Sequence, residues 1–431
     1  MLKFLNSNSK NFEVKLKYIL GKRKFLQNSN SKSVKKIIKN VMSFGDKTLI
    51  QYERKFSNIK SKNVRIKFSK KEINSISKKV DLDLKRSIDT AFNRIYKFHS
   101  KQKTNFINFK DKYNNKLSYI YSPIESIGVY VPGGTASYPS TVLMNCIPAI
   151  VAGVKNIYLT TPSLGNNINP AIIYAAKKCR VKEIYKIGGA HAIAAFAYGT
   201  KTFKKVNKIV GPGNSFVASA KREVFGDVGI DMIAGPSEVS IVADRYARSD
   251  WVASDLIAQA EHDINAQSIL ISNDLKLISS VNNDLKNQLK TLPKRKIASK
   301  SLKNFGISIY AKDMNKISSI INEIAPEHLE LFLKDYKKLL KKIKNAGSIF
   351  LGKYSPEAVG DYLAGPNHVL PTSGTAKFSS GLSVNDFLKR HSLIKFTKTG
   401  IERLGPSVIN LSKHENLDGH AYSVKIRIKK D

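Results

Sequence analysis

Cysteine is scarce in this chain: its 431 residues include two, Cys146 and Cys179. Two cysteines cannot build a disulfide framework for a chain of this length, and neither sits in a C-x-x-C motif, which points to a reducing cytoplasm. Cys146 lies in the apolar run S-T-V-L-M-N-C-I-P-A-I with no base beside it, so a thiolate nucleophile is not expected. Long apolar runs are missing too. The longest, from Val142 to Val154, is too short to span a bilayer and contains Asn145 and Pro148. The start, M-L-K-F-L-N-S-N-S-K, has no sustained apolar stretch of the kind a signal peptide needs.

Acidic residues are few, 33 against 73 lysines and arginines, which gives a formal charge of +40. Such an excess raises nucleic-acid binding as a function. Its distribution speaks against that. Lysines crowd residues 10–39, 60–85, 286–303 and 334–344, alternating with Asn, Ile and Ser as on solvated helix faces, whereas 128–263 is far less basic. No stretch interleaves aromatic and basic residues like an RNA-binding sheet. The expectation is a soluble cytoplasmic protein with neither a nucleic-acid nor a membrane partner. The dinucleotide fingerprint G-x-G-x-x-G is also absent, since Gly211-Pro212-Gly213-Asn214-Ser215-Phe216 lacks its third glycine.

What is present is the material for packed interiors: 42% hydrophobic and 9% aromatic residues, over a length that exceeds a single core. Residues 1–120 read mainly as helices, with Val34, Ile37, Ile38, Val41 and Met42 at helical spacing. From Glu125 onward short β-branched runs (I-G-V-Y-V, N-I-Y-L-T-T, E-I-Y-K-I, K-I-V) alternate with helices starting near Ser140, Asn169, Ala190 and Asn214. Asn169-Pro170 pairs an N-cap with proline at the first helical position. The rhythm resumes after Gly235-Pro236 with V-S-I-V-A-D, S-I-L-I-S, I-S-I-Y and finally S-I-F-L, followed by a tail poor in clear elements. Strand and helix taking turns predicts parallel βαβ units in two α/β domains.

In such sheets ligands sit beyond the carboxyl ends of strands. Glycine-rich loops stand there: Tyr130-Val131-Pro132-Gly133-Gly134, Gly188-Gly189-Ala190-His191 and Gly211-Pro212-Gly213-Asn214. Together they favour a phosphate-bearing cofactor, because small residues let backbone amides approach an anion. Within S-D-L-I-A-Q-A-E-H-D, Gln259 and His262 lie three residues apart, on one helical face, and could offer an amide oxygen and an imidazole nitrogen to one metal. Ala325-Pro326-Glu327-His328 sets two bases side by side. Of eight histidines, four (His262, His328, His368 and His420) fall in acid-bearing segments, including D-Y-L-A-G-P-N-H after Asp361 and E-N-L-D-G-H after Glu415.

These segments, distributed over most of the chain after residue 120, resemble histidinol dehydrogenases. The resemblance implies two incomplete Rossmann-like parallel-sheet domains with helical N-terminal and C-terminal extensions. Residues 1–24 would form the N-terminal extension, 25–129 with 238–381 the domain carrying the metal and catalytic pair, 130–237 the NAD-side domain, and 382–431 a dimerisation extension. It implies four-electron oxidation of L-histidinol to L-histidine through the aldehyde, with NAD and one Zn2+ per subunit. Carried over, Gln259, His262, Asp361 and His420 are the zinc ligands and also touch substrate. His328 takes the hydroxyl proton and Glu327 activates water. Ser237, His328, His368 and Glu415 meet the substrate, and Tyr130, His191 and Asn214 the NAD. His191 departs from the glutamine usual there, and an imidazole cannot bond with both groups of an amide. The family's dimers exchange C-terminal segments, so Glu415 and His420 are expected to serve the partner's site. Two other readings stay open: a relative that oxidises another amino alcohol or diol, and a basic nucleic-acid-binding protein that keeps the fold.

Overall fold

The structure, a computed structural model, describes residues 2–26, 31–57, 64–102, 107–133, 138–163 and 168–428; Gly134 of the first glycine loop lies outside them. The chain divides into two compact units, Met1–Lys101 with Glu125–Asp386, and Gln102–Ile124 with Phe387–Asp431.

The first unit opens with β1 (Lys3–Asn6), α1 (Phe12–Leu26), α2 (Ser31–Phe44), α3 (Asp46–Phe56), α4 (Lys70–Lys78) and α5 (Leu82–His99). After β2 (Asn108–Lys110) and β3 (Lys116–Pro123), which belong to the second unit, strand and helix alternate. The series runs β4 (Ser126–Tyr130), α6 (Pro139–Ala152), β5 (Asn156–Thr160), α7 (Pro170–Lys178), β6 (Glu183–Tyr185), α8 (Gly189–Tyr198), β7 (Lys208–Val210), α9 (Ser215–Val224) and β8 (Gly229–Ile230). A second series follows: β9 (Glu238–Ala243), α10 (Ser249–Ala260), β10 (Gln267–Ser272), α11 (Leu275–Gln288), α12 (Arg295–Phe305), β11 (Ile307–Tyr310), α13 (Met314–Ile324), β12 (His328–Phe332), α14 (Lys337–Leu340), β13 (Ser348–Leu351) and α15 (Glu357–Tyr362). The chain ends with β14 (Leu388–Lys395), α16 (Lys398–His414) and α17 (Asp418–Ile428).

Two parallel sheets result, as the alternation predicts. One is ordered β6-β5-β4-β7-β8, the other β1-β11-β10-β9-β12-β13. Every residue of β4, β9 and β10 is buried, as parallel strands covered on both faces require. Helix starts follow local chemistry: Asn169 accepts from the Ala171 amide ahead of Pro170, and Asn214 from the Phe216 and Val217 amides. On α2 the buried stripe is Val34, Ile37, Ile38 and Val41, and it packs with α8 and α9 residues into one core. Each such side chain contributes roughly 1.5–3 kcal/mol by leaving water. Met42, one position past the stripe, is exposed. Around the other sheet, Leu5, Phe12 and Leu16 of the first two elements join Ile307, Ile309 and Leu329 in a core of their own.

The first 120 residues hold more strand than their helical texture suggests. β1 has four residues, too few to show a period, and is recruited by pairing with β11. The tail, expected to be poor in elements, carries β14, α16 and α17. β14 and β2 flank β3 in an antiparallel sheet. Gly405-Pro406 reads as a helix breaker, yet both residues lie inside α16. A Cβ on Gly405 would stand 2.4 Å from Ile428 Cδ1, so α17 packs where only glycine leaves room. β12 carries no clear strand signal in the sequence because Glu330 interrupts its apolar run, although all five of its residues are buried. No helix among the described residues is long and apolar enough to cross a membrane.

Helix α4 starts with a capping box in which Ser69 and Glu72 satisfy each other's backbone amides. Glu72 Oε1 also accepts from Lys186 Nζ at 2.7 Å. Burial works against the Glu72 carboxylate, but bonds from Lys186 and Ser69 outweigh it and hold its pKa at about 2. A depressed carboxyl pKa stabilises the fold above pH 4.5 and stops doing so as pH falls towards 2. Glu72→Ala is expected to cost about 1 kcal/mol at pH 7 in denaturant unfolding, with the gap to wild type narrowing as pH approaches 2.

Candidate active site

A cavity of about 420 Å³ opens within the first unit. Its walls come from opposite ends of the two sheets. Pro132 and Gly133 follow β4 and Pro212 to Asn214 follow β7, so the five-stranded sheet presents its carboxyl ends, as expected. Ser237 precedes β9 and His328 begins β12, so the six-stranded sheet presents its amino ends. The carboxyl-end rule therefore locates half of the site and misses the half that holds the paired bases.

Glu327 and His328 enter the cavity through a sharp local turn. Ala325 ends α13 in the left-handed region (φ 48°), and Pro326 leads directly into β12. His328 pairs in register with Val239 of β9, which brings both bases against the peptide groups of Glu238. The Glu238 amide donates to Glu327 Oε2 (3.0 Å), and the Glu238 carbonyl lies 3.1 Å from His328 Nδ1. A carbonyl can only accept, so Nδ1 carries the proton and Nε2 the lone pair. That Nε2 is buried and has no hydrogen-bond partner.

Burial lowers the His328 pKa to about 4, helped by the charges of His368 and His262 and opposed by Asp361. The ring is thus neutral at pH 7, a base with its lone pair unoccupied. Glu327 is pushed the other way, well above the ordinary carboxyl range, by burial first and by the charge of Glu238 second. Two neighbouring bases are tuned separately by one desolvated environment.

Beside them, ligand atoms of His262, Glu357 and Asp361 lie within 4.8 Å of one another. Helix α10 ends at Ala260, so His262 sits in the turn that follows rather than on the helix with Gln259. Gln259 is fully buried; turned with its nitrogen toward Glu357, its amide donates to Oε1 (2.5 Å) and Oε2 (3.1 Å). Glu357 and Asp361 are spaced i,i+4 on α15 and share a face. His368 Nδ1 lies 3.0 Å from the Asp361 carbonyl, which turns the ring into the same wall. Glu357 is held well above its ordinary pKa, by burial and then by the charges of Asp361 and Glu330. Carboxylates crowded in this way, next to an imidazole, suit a divalent cation, which would relieve their repulsion. Sequence reading passed over Glu357. The available signal was Ser355-Pro356, a helix start, followed by carboxylates four residues apart.

The remaining predicted residues fall into three groups. Ser237 and Asn214 line the cavity. Tyr130 and His191 are buried and are not among its lining residues: the Tyr130 hydroxyl accepts from the Gly189 amide at 3.0 Å, and His191 Nε2 lies 2.9 Å from Glu53 Oε1. Glu53 also accepts from the Gly188 amide (3.1 Å), so the imidazole and the second glycine loop share one anchor. Glu415, the C-cap of α16, and His420 on α17 are exposed members of the second unit. Both cysteines are buried away from the cavity, and burial followed by the neighbouring Cys146 thiol raises the Cys179 pKa.

The third glycine loop is clamped from beneath. Asp231 Oδ2 accepts from the Gly211 amide (2.8 Å), and Lys221 Nζ donates to the Gly211 carbonyl (3.1 Å) and to Asp231. Gly211 has φ +111°, and a Cβ there would stand 2.1 Å from the Tyr130 carbonyl oxygen, so no other residue fits.

Residues 21–428 match the family described as histidinol dehydrogenase. The chain is 57% identical over its full length to the histidinol dehydrogenase of Pelagibacter ubique, also matched in full. It is 48% identical to that of Listeria monocytogenes, covering 92% of this chain and 93% of the relative. The crystal structure of histidinol dehydrogenase from Elizabethkingia anophelis superposes with a TM-score of 0.92 at 37% identity, over 99% of this chain and 98% of that one.

The ring chemistry of His328 can be read directly. In metal-free protein, an NMR titration of labelled histidines is expected to give His328 a midpoint near 4, with no change between pH 5.5 and 7. A midpoint near 6.5 would show an imidazole open to water.

Proposed function

Since the chain belongs to the histidinol dehydrogenase family and is an oxidoreductase of that kind, we propose that it converts L-histidinol to L-histidine through L-histidinaldehyde, passing two hydrides to two molecules of NAD. The observation that carries the chemistry is the buried, unpartnered His328 Nε2 next to a Glu327 of raised pKa. In the first step His328 Nε2 takes the hydroxyl proton as the carbinol carbon gives its hydride to NAD, leaving aldehyde and NADH. In the second, Glu327 takes a proton from water as its oxygen bonds to the aldehyde carbon. The resulting hydrate anion passes a second hydride to a second NAD, and the carboxylic acid so formed releases its proton to solvent to become the carboxylate. Neither step needs a thiol.

Gln259, His262 and Asp361, with His420 from a second copy, would hold one zinc ion, and Glu357 keeps the Gln259 amide turned toward it. When bound, zinc supplies an electrophilic anchor for the nitrogen donors of the substrate. Ser237 and His368 complete the substrate wall, with Glu415 reaching it from the second copy. Asn214 meets NAD at the start of α9, while Tyr130 and His191 act from behind the loops, Tyr130 by accepting from the Gly189 amide and His191 by fixing Glu53, which accepts from the Gly188 amide. Support for an exchanged homodimer comes from Val408, Leu411, Leu417, Tyr422 and Ile426, apolar side chains exposed on the unit that carries Glu415 and His420. The two buried thiols suit a cytoplasmic setting.

Limiting L-histidinol added to zinc-loaded protein should yield two NADH per substrate. One NADH would mean that the aldehyde is released, and none would reject the substrate. Glu327→Gln should slow aldehyde oxidation by about 100-fold or more while the alcohol step loses far less; equal losses would contradict the division of roles. Mixing His420→Ala and Glu327→Gln subunits, each unable by itself to carry the aldehyde on to histidine at more than a small rate, should restore about a quarter of wild-type histidine formation if tails are exchanged, because half the dimers are mixed and each has one intact site. No recovery in mixed dimers would place His420 in its own chain's site.

A further inference from the structure

Helix α1 sends one side chain into the site. Arg23 is 3% exposed, and its guanidinium is spent entirely inward. Nη1 donates to Glu238 Oε2 (2.7 Å) and Gln267 Oε1 (3.0 Å), Nη2 to the Pro236 carbonyl (2.5 Å), and Nε to the Asn265 carbonyl (3.2 Å). The other Glu238 oxygen accepts from the Ser373 amide. Glu238 is therefore gripped at both carboxylate oxygens, while its own amide and carbonyl hold Glu327 and His328.

We propose that Arg23 is a positioning residue for the oxidation chemistry: through Glu238 it fixes the tautomer and direction of His328 and the orientation of Glu327. This rests on the roles given to those two bases above.

Three features favour positioning over simple core packing. Both peptide groups of Glu238 point at the paired bases, so any rotation of that residue moves the two together. The guanidinium also lines the cavity, where it meets the Pro236–Ser237 backbone that forms the floor. Its planar fork spans a carboxylate, an amide oxygen and three carbonyls at fixed angles, which a flexible ammonium cannot reproduce. Burying an ion pair is weak evidence for stability as such, whereas holding one geometry is what such a pair does well. The clamp also sets a charge beside Glu238, whose carboxylate otherwise faces Glu327 uncompensated.

The test uses full-length, zinc-loaded Arg23→Ala and Arg23→Lys, with steady-state kinetics on histidinol and histidinaldehyde and a long-range 1H–15N spectrum of His328. Arg23→Ala is expected to lower kcat of both oxidations by about 100-fold with the histidinol KM within about threefold, the pattern of a misplaced catalytic group. Arg23→Lys should recover part of that loss, and millimolar guanidinium should rescue Arg23→Ala but not wild type. In the spectrum, wild type should show a protonated Nδ1 and bare Nε2, and Arg23→Ala a mixture of tautomers. A raised KM with unchanged kcat would make Arg23 a substrate contact and overturn the proposal, as would an unchanged His328 spectrum. Should Arg23→Ala fail to fold, Arg23→Lys carries both readouts. The spectrum is independent of turnover, so wild-type protein inert toward histidinol would reject the proposed reaction while Arg23 is still judged by the tautomer.

Discussion

The backbone of Glu238 is the point on which the site turns. Its N–H faces one base and its C=O the other, so two side chains adjacent in sequence receive opposite instructions from one residue. The carbonyl assigns the imidazole proton to Nδ1, and Nε2 is left as a bare lone pair in a desolvated wall. The amide holds a carboxylate whose burial makes it a stronger base. This arrangement requires β12 to pair with β9 in one register, because a slip of one residue would send His328 to the opposite face of the sheet.

That register depends in turn on how the first unit is layered. The six-stranded sheet lends the cavity its amino ends and the five-stranded sheet its carboxyl ends. Backbone amides, glycine turns and the start of α9 gather on the second side, and titratable side chains on the first. Under the function proposed above, a hydride acceptor bound through its phosphates and a substrate bound through charged and polar groups would have chemically different walls facing one cavity. The clamp beneath Gly211 and the Glu53 anchor beneath Gly188 hold the loops that follow the five-stranded sheet from below, through buried residues.

Much of this was legible from residue order. The βα alternation, the Asn169-Pro170 and Asn214 helix starts and the three glycine loops follow from short-range chemistry, and they stand in the structure where their residues place them. Gln259, His262, Asp361, Glu327 and His328 stood out by donor type together with the family resemblance, and the structure sets His262, Asp361, Glu327 and His328 on the cavity wall, with His262 in a turn and not on the helical face that its spacing suggested. Glu357 did not, since a glutamate in a polar segment looks like surface until α15 turns it against Gln259. Nor did α16, because Gly405-Pro406 is a breaker by local rules and a helical residue pair only once Val424 and Ile428 pack against it. Arg23 looked like one more cation in a lysine-rich stretch.

The amino-acid order by itself determined the α/β class, the candidate donors His262, Glu327, His328 and Asp361 and the local geometry of the loops, because caps, periodicity and turn residues act within a few positions of themselves. Only the tertiary structure decided which acids become buried, which imidazole nitrogen stays bare and which distant cation steadies them. Those outcomes depend on desolvation and on partners more than two hundred residues away along the chain, as Arg23 is from Glu238, and no local pattern encodes either.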